Sequence, residues 1–188
     1  IAGVVKGASS GEGLGNKFLS HIREVDAIVH VLRCFDSDDI QNVNENVDPI
    51  RDLEIIDTEM KLADIESINK RLNKKNKKKI DDEQNEILEM SLKLINNEIE
   101  QNDFQDNFNK KQIKNSGLLS IKPRLFVCNV DEKSIVNGNN YSKVFTSKFG
   151  SKNTLIISSE IENQINQLDD KEKESYMKML GMNNTGLG

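Results

Sequence analysis

Ile1-Ala2-Gly3-Val4-Val5-Lys6-Gly7-Ala8-Ser9-Ser10-Gly11-Glu12-Gly13-Leu14-Gly15-Asn16-Lys17 opens the chain, and its reading decides how the rest is read. An apolar pair runs into Gly3, and Gly11, Gly13 and Gly15 alternate with other residues just ahead of an amphipathic stretch. Glycine has no Cβ and tolerates positive φ, so such a segment suits backbone that approaches a ligand closely or moves. It reads as a switch that senses a terminal phosphate. Gly3 offers its backbone N–H, closure orders the glycines behind it, and loss of the phosphate releases them. A loop of this kind is delivered by a strand, and the sequence supplies none before Ile1.

Downstream, Leu14, Phe18, Leu19 and Ile22 recur at helical spacing and predict a helix over residues 13–23. Ala27 to Cys34 is a short, nearly continuous apolar run rich in β-branched residues, the pattern of a strand buried on both faces of a parallel sheet. His30 inside it reads as a core histidine rather than a catalyst. Arg124 to Asn129 and Thr154 to Ile157 are the second and third strand candidates, with a helix between them around residues 141–149. Leu168-Asp169-Asp170 opens a last helix that Gly181 closes. Strands alternating with helices define an α/β fold with a doubly wound, mainly parallel sheet.

The pattern changes from Asp52. Leu53, Ile56, Met60, Ala63, Ile68 and Leu72, and then Leu88, Leu92, Ile95 and Ile99, fall mostly three or four residues apart among charged neighbours. They predict an antiparallel, coiled-coil-like helical hairpin over residues 51–118, inserted between the two parts of a nucleotide-type domain, 1–50 and 119–188. Its tip carries Lys74, Lys75, Lys77, Lys78 and Lys79, for which a solvated turn and an RNA contact are the two readings. Residues 102–115, rich in Asn, Gln, Asp and Lys, read as a poorly specified return connection.

Composition narrows the classes. With 36% hydrophobic and 5% aromatic residues, the core of this 188-residue chain must be aliphatic. No apolar run approaches the roughly 20 residues needed to span a bilayer, so no membrane role is expected. A net charge of −5 disfavours bulk affinity for nucleic acid, DNA included, and leaves room only for a local basic patch. Cys34 and Cys128 are too few for a disulfide framework or a zinc site and read as reduced thiols. The loop Phe35-Asp36-Ser37-Asp38-Asp39-Ile40 lacks the glycine turn and terminal glutamate of a calcium loop, and no metal site is assigned to it.

Three chemical signals fall at strand ends in a meaningful order: the glycine-rich switch, the loop Asn129-Val130-Asp131-Glu132, and Ser158-Ser159-Glu160. The Asn129 amide both donates and accepts, matching the N7 acceptor and 6-substituent of a purine. Read alone, Asn129 is more simply a strand-end turn residue. Three residues on, a short aspartate would accept the N1–H and 2-amino protons of guanine. Glu132 is one methylene longer, and adenine presents only a lone pair at N1, so selectivity for guanine is relaxed.

With these residues in view, the chain resembles the YchF group of Obg-like ATPases within the P-loop GTPase superfamily. The likeness is carried by the runs Ile1–Ala8 and Gly11–Asn16, by Arg33-Cys34-Phe35, Val47-Asp48-Pro49 and Lys122-Pro123, by Asn129–Glu132, and by Tyr176–Gly181. The resemblance implies hydrolysis of ATP, with some GTP, assisted by Mg²⁺, in a cytoplasmic protein that associates with the ribosome or a ribosomal subunit. It implies that Asn129, Val130 and Glu132 hold the base, with Ser158, Ser159 and Glu160 as a second base-side loop and Phe35 nearby. Val4 falls where Ras-like proteins keep a water-orienting glutamine, and Asn42 where the group's proposed catalytic histidine falls. The sequence contains neither the group's Walker A loop nor its TGS domain, so it reads as an internal segment expected to be inactive alone. Two rival readings remain: a GTP-specific Obg-type GTPase, and a ribosome or protein interaction module with a vestigial nucleotide site.

Overall fold

The computed structural model describes residues 14–37, 46–75 and 82–182. Gly3, Val4 and Asn42, together with Lys77 to Lys79, lie outside the described residues, and so do the side chains of Lys74 and Lys75. The described chain falls into two compact units, a helical unit (14–28, 54–75 and 82–123) and a sheet unit (29–37, 46–53 and 124–182).

The sheet unit is built on three strands, β1 (Ile28–Arg33), β2 (Arg124–Asn129) and β3 (Thr154–Ile157), in the order β1-β2-β3. β2 and β3 run parallel, with Phe126 opposite Thr154 and Asn129 opposite Ile157. Beyond the end of β1, Cys34 N donates to Asn129 O at 2.8 Å, in step with β2. Leu32, Cys34, Phe126, Cys128, Val130 and Leu53 form the core with Phe145 of α6 (Asn140–Phe149). Phe126, Phe145 and Phe149 meet with ring centroids 4.5–5.5 Å apart, and His30 lies against Phe126 at 5.6 Å, a core histidine as expected.

Burial along β1 corrects the expectation of a strand covered on both faces. His30 and Leu32 point into the core, whereas Val29 and Val31 on the other face are 57% and 67% exposed. An unbroken β-branched run fits a half-covered strand as well as a fully covered one, because hydrophobicity alone does not count the layers. A helix absent from the expectation, α7 (Ser159–Asn166), follows β3 directly. Ser158 is its N-cap residue, Glu160 and Glu162 lie in its first turn, and Ile161 and Ile165 are buried four residues apart. The final helix α8 (Asp170–Leu180) keeps its expected bounds. The Asp169 side chain accepts from Lys171 N and Glu172 N, and Gly181 ends the helix at φ 72°.

In the helical unit, α1 (Leu14–Glu24) buries Phe18, Leu19 and Ile22 against Met60 and Ala63 of α2 (Pro49–Lys75) and against Leu119. α2 starts where Asp48 Oδ1 accepts from Ile50 N and Arg51 N at 3.1 and 3.0 Å, with Pro49 in the first helical position. A second cluster joins Ile68 of α2, Ile87, Leu88 and Ile95 of α3 (Asp82–Ile95), and Phe104, Phe108, Leu118 and Ile121. The expected return connection is thus two short helices, α4 (Gln101–Asn107) and α5 (Lys110–Ser116). Their polar composition hid two capping boxes, Glu100 with Asp103 and Asn109 with Gln112, and an aromatic pair, Phe104–Phe108, that supplies the burial.

Asp64 of α2 is the polar centre of this unit. It is 0% exposed, and its carboxylate accepts from Leu119 N, Ser120 N and Ser120 Oγ at 2.7–2.9 Å. Removing the carboxylate strands the buried N–H of Leu119 and the half-buried N–H of Ser120, so Asp64→Ala should cost about 3 kcal/mol in denaturant unfolding. A loss below about 1 kcal/mol would show the anchor to be dispensable. Ser91 gives the opposite case. Its buried hydroxyl has no partner among the described residues, so Ser91→Ala should leave stability unchanged or raise it by about 1 kcal/mol.

Candidate functional site

The parallel strands bring three chain segments to one edge, beyond the C-terminal ends of β1, β2 and β3, where open α/β sheets place their ligands. Cys34 to Ser37 follow β1, Val130 to Ser134 follow β2, and Ser158 to Glu160 follow β3. Phe35, Asn129, Val130, Glu132, Ser158, Ser159 and Glu160 therefore share this edge.

Asn129 is the last residue of β2 and is held on every side. Its carbonyl accepts from Cys34 N and the next residue, Val130, donates its N–H to Ile157 O, both at 2.8 Å. Its side-chain oxygen accepts from Ser159 N, the first residue of α7, at 2.8 Å. That bond settles which way the amide points. The oxygen is committed to the helix N-terminus, and the NH₂ group is left as the donor at the edge.

Val130 follows Asn129 directly. Its side chain is 2% exposed and belongs to the core with Leu32, Cys34 and Phe145, so it anchors the loop from below. Glu132 begins the 3-10 turn Glu132–Ser134, with its carboxylate on the outside. Ser134 Oγ donates to Asp131 at 2.9 and 3.0 Å and stiffens the same turn. Ser158 is 1% exposed, and its hydroxyl has no partner among the described residues. Ser159 and Glu160 are exposed in the first turn of α7.

The β1 side of the edge is shaped by Arg33, whose Nε donates to Phe35 O at 3.0 Å and whose guanidinium stands 5.1 Å over the Phe35 ring. Asp36 accepts from Tyr141 OH at 3.0 and 3.1 Å, a bond that raises the tyrosine's pKa. Asn139 caps α6 by accepting from Ser142 N at 3.0 Å, and its amide nitrogen donates to Cys34 O. Gly138, before it, has φ +65°, and a Cβ there would meet Ser142 Oγ at 2.7 Å, so only glycine fits.

Sequence reasoning missed three residues of this framework: Asn139, Gln164 and Tyr176. The available signals were the spacing Asn139-x-x-Ser142, which fits a helix cap, and the i,i+4 placement of Glu160 and Gln164. Among the described residues no cluster of His, Cys, Asp or Glu is arranged to hold a metal. No described helix is long and apolar enough to cross a membrane. A cavity of about 290 Å³ in the helical unit, where Arg71 and Gln112 stand over Ile87 and Leu88, contains none of the residues singled out from the sequence.

A parallel sheet with helices between its strands and its loops gathered at the C-terminal edge is an α/β arrangement of the kind found in P-loop folds. No family model matches the chain. It is 39% identical to the ribosome-binding ATPase YchF of Bacillus subtilis over 198 residues, covering 100% of this chain and 54% of the relative. It is 36% identical to the protein of that name from Haemophilus influenzae over 195 residues, covering 100% and 53%. A solved structure, the Schizosaccharomyces pombe YchF GTPase, superposes with a TM-score of 0.75 at 29% identity, covering 96% of this chain and 52% of that one. The chain belongs to the YchF family, and it spans about half the length of the curated relatives it matches.

The two thiols, far apart in sequence, meet at this edge. Cys34 and Cys128 are both fully buried and hydrogen-bonded to each other, and that contact together with burial pushes the Cys34 pKa well up. Cys34 is therefore a poor nucleophile. Neither thiol should react with an aromatic disulfide reagent at pH 8 in the folded protein, and both should react after unfolding. Labelling of the folded protein at the rate of a free cysteine would contradict the burial.

Proposed function

We propose that the C-terminal edge of the sheet unit holds a purine base, and that this chain is the base-reading part of a nucleotide hydrolase that works at the ribosome. The carrying observation is the orientation of Asn129. With its oxygen bound to Ser159 N, its NH₂ group is presented as a donor of the kind the purine N7 accepts. Glu132 faces the 1- and 2-positions of the ring, and Phe35 offers an aromatic surface beside it. Ser159 and Glu160 close the far side, with Val130 holding the loop from the core.

ATP is the favoured substrate and GTP the secondary one, because Glu132 does not reproduce the short aspartate that reads guanine. Mg²⁺ on the phosphates would neutralise the charge that develops during transfer. Gly3, assigned to the terminal phosphate, and Val4, at the water-orienting position, lie outside the described residues, as does Asn42. The names of the bacterial relatives, ribosome-binding ATPases, support both the activity and the partner.

In the full-length protein carrying this segment, Asn129→Ala should weaken ADP binding about tenfold or more while leaving the far-ultraviolet circular dichroism unchanged. An unaltered dissociation constant would reject the base site. The fission-yeast neighbour is named a GTPase, which favours a second reading, a guanine-specific enzyme. Competition between ATP and GTP separates the two, since a preference for GTP of about tenfold would require the Glu132 contact to survive intact.

A further inference from the structure

Glu132 is not alone at the edge. Gln164 of α7 donates through Nε2 to Glu132 Oε1 at 2.8 Å and to Glu160 Oε1 at 3.3 Å. Its Oε1 accepts from Tyr176 OH of α8. The direction of this chain of bonds is fixed by chemistry. Ionised carboxylates only accept, so the Gln164 NH₂ must face them and its oxygen must face the tyrosine, whose hydroxyl must donate. The amide is thus held at both ends.

We propose that Gln164, locked by Tyr176, is a positioning residue that sets base preference by occupying one oxygen of Glu132. The inference rests on the base site described above. Guanine recognition by a carboxylate is bidentate, with one oxygen accepting N1–H and the other the 2-amino group. With Oε1 already accepting from Gln164, one of that oxygen's two acceptor sites is taken and the carboxylate is turned towards α7, so guanine must either share Oε1 with the amide or pull the carboxylate away from it. Displacement gives up the 2.8 Å bond and leaves the Gln164 NH₂ only the longer one to Glu160. Adenine carries neither donor at those positions and loses nothing. Sequestering the acid therefore penalises guanine selectively, and the extra methylene of Glu132 is what lets the carboxylate reach sideways to α7.

The test compares ADP and GDP binding by titration calorimetry in the full-length protein. Gln164→Leu should shift the GDP/ADP affinity ratio about tenfold towards GDP, the worth of one charge-assisted hydrogen bond. Tyr176→Phe, which deletes a single hydroxyl and keeps the ring, should shift it in the same direction by less. In a Glu132→Gln background the Gln164→Leu shift should vanish, because the effect runs through that carboxylate. A purely structural role would weaken both nucleotides together. An unchanged ratio in both single variants, or an equal shift in the Glu132→Gln background, would overturn the proposal while leaving the base site standing. Failure of the unmodified protein to bind either diphosphate would remove both.

Discussion

The hydrogen bond from Ser159 N to the Asn129 side chain is the constraint on which the edge depends. It satisfies an N-terminal N–H of α7 that its own N-cap residue, Ser158, leaves uncapped, and it fixes the rotamer of the residue that must point outward. One bond thus joins helix stability to recognition. The main chain beneath it is pinned from β1 by Cys34 and to β3 through Val130. Asn129 accordingly has little freedom to lose on binding, which is how a scaffold lowers the entropic cost of recognition.

The sequence made the sheet legible because its strands are short β-branched runs bounded by turn residues, and because Asn129 and Ser158 stand where such runs end. It was less informative wherever a property depends on a distant partner. Nothing local tells Val29 from Leu32, yet one side chain is exposed and the other is core. Val130 could be placed on the loop but not on a face. Gln164 was invisible because its partners come from three other places, the turn after β2, the turn before it in α7, and α8. The helices α4 and α5 were hidden by polar composition, although their capping boxes are local and could have been found.

Asp64 shows the same limit in the helical unit. An aspartate within an amphipathic helix reads as surface, and in α2 it falls on the buried side because the turn at Leu119 and Ser120 brings it unpaired N–H groups. Arg71 and Arg23 reach the same region, donating to Ser116 O and Gly117 O, the carbonyls at the end of α5. Burial lowers the Arg71 pKa, but a guanidinium keeps its charge, so these side chains serve the dipole of α5 as well as its unpaired carbonyls. A polar framework of this kind specifies one packing where aliphatic contacts alone would permit several.

The uncovered valines of β1 bear on how the molecule fails when warmed. β1 is the outer strand of the described three, and its exposed face carries two β-branched side chains, Val29 and Val31, with only the core-facing His30 between them in sequence. Outer strands of that character are templates for pairing with another chain. Clumping of partly opened molecules would then compete with refolding, and the midpoint of a melting curve would report scan rate and concentration as much as equilibrium.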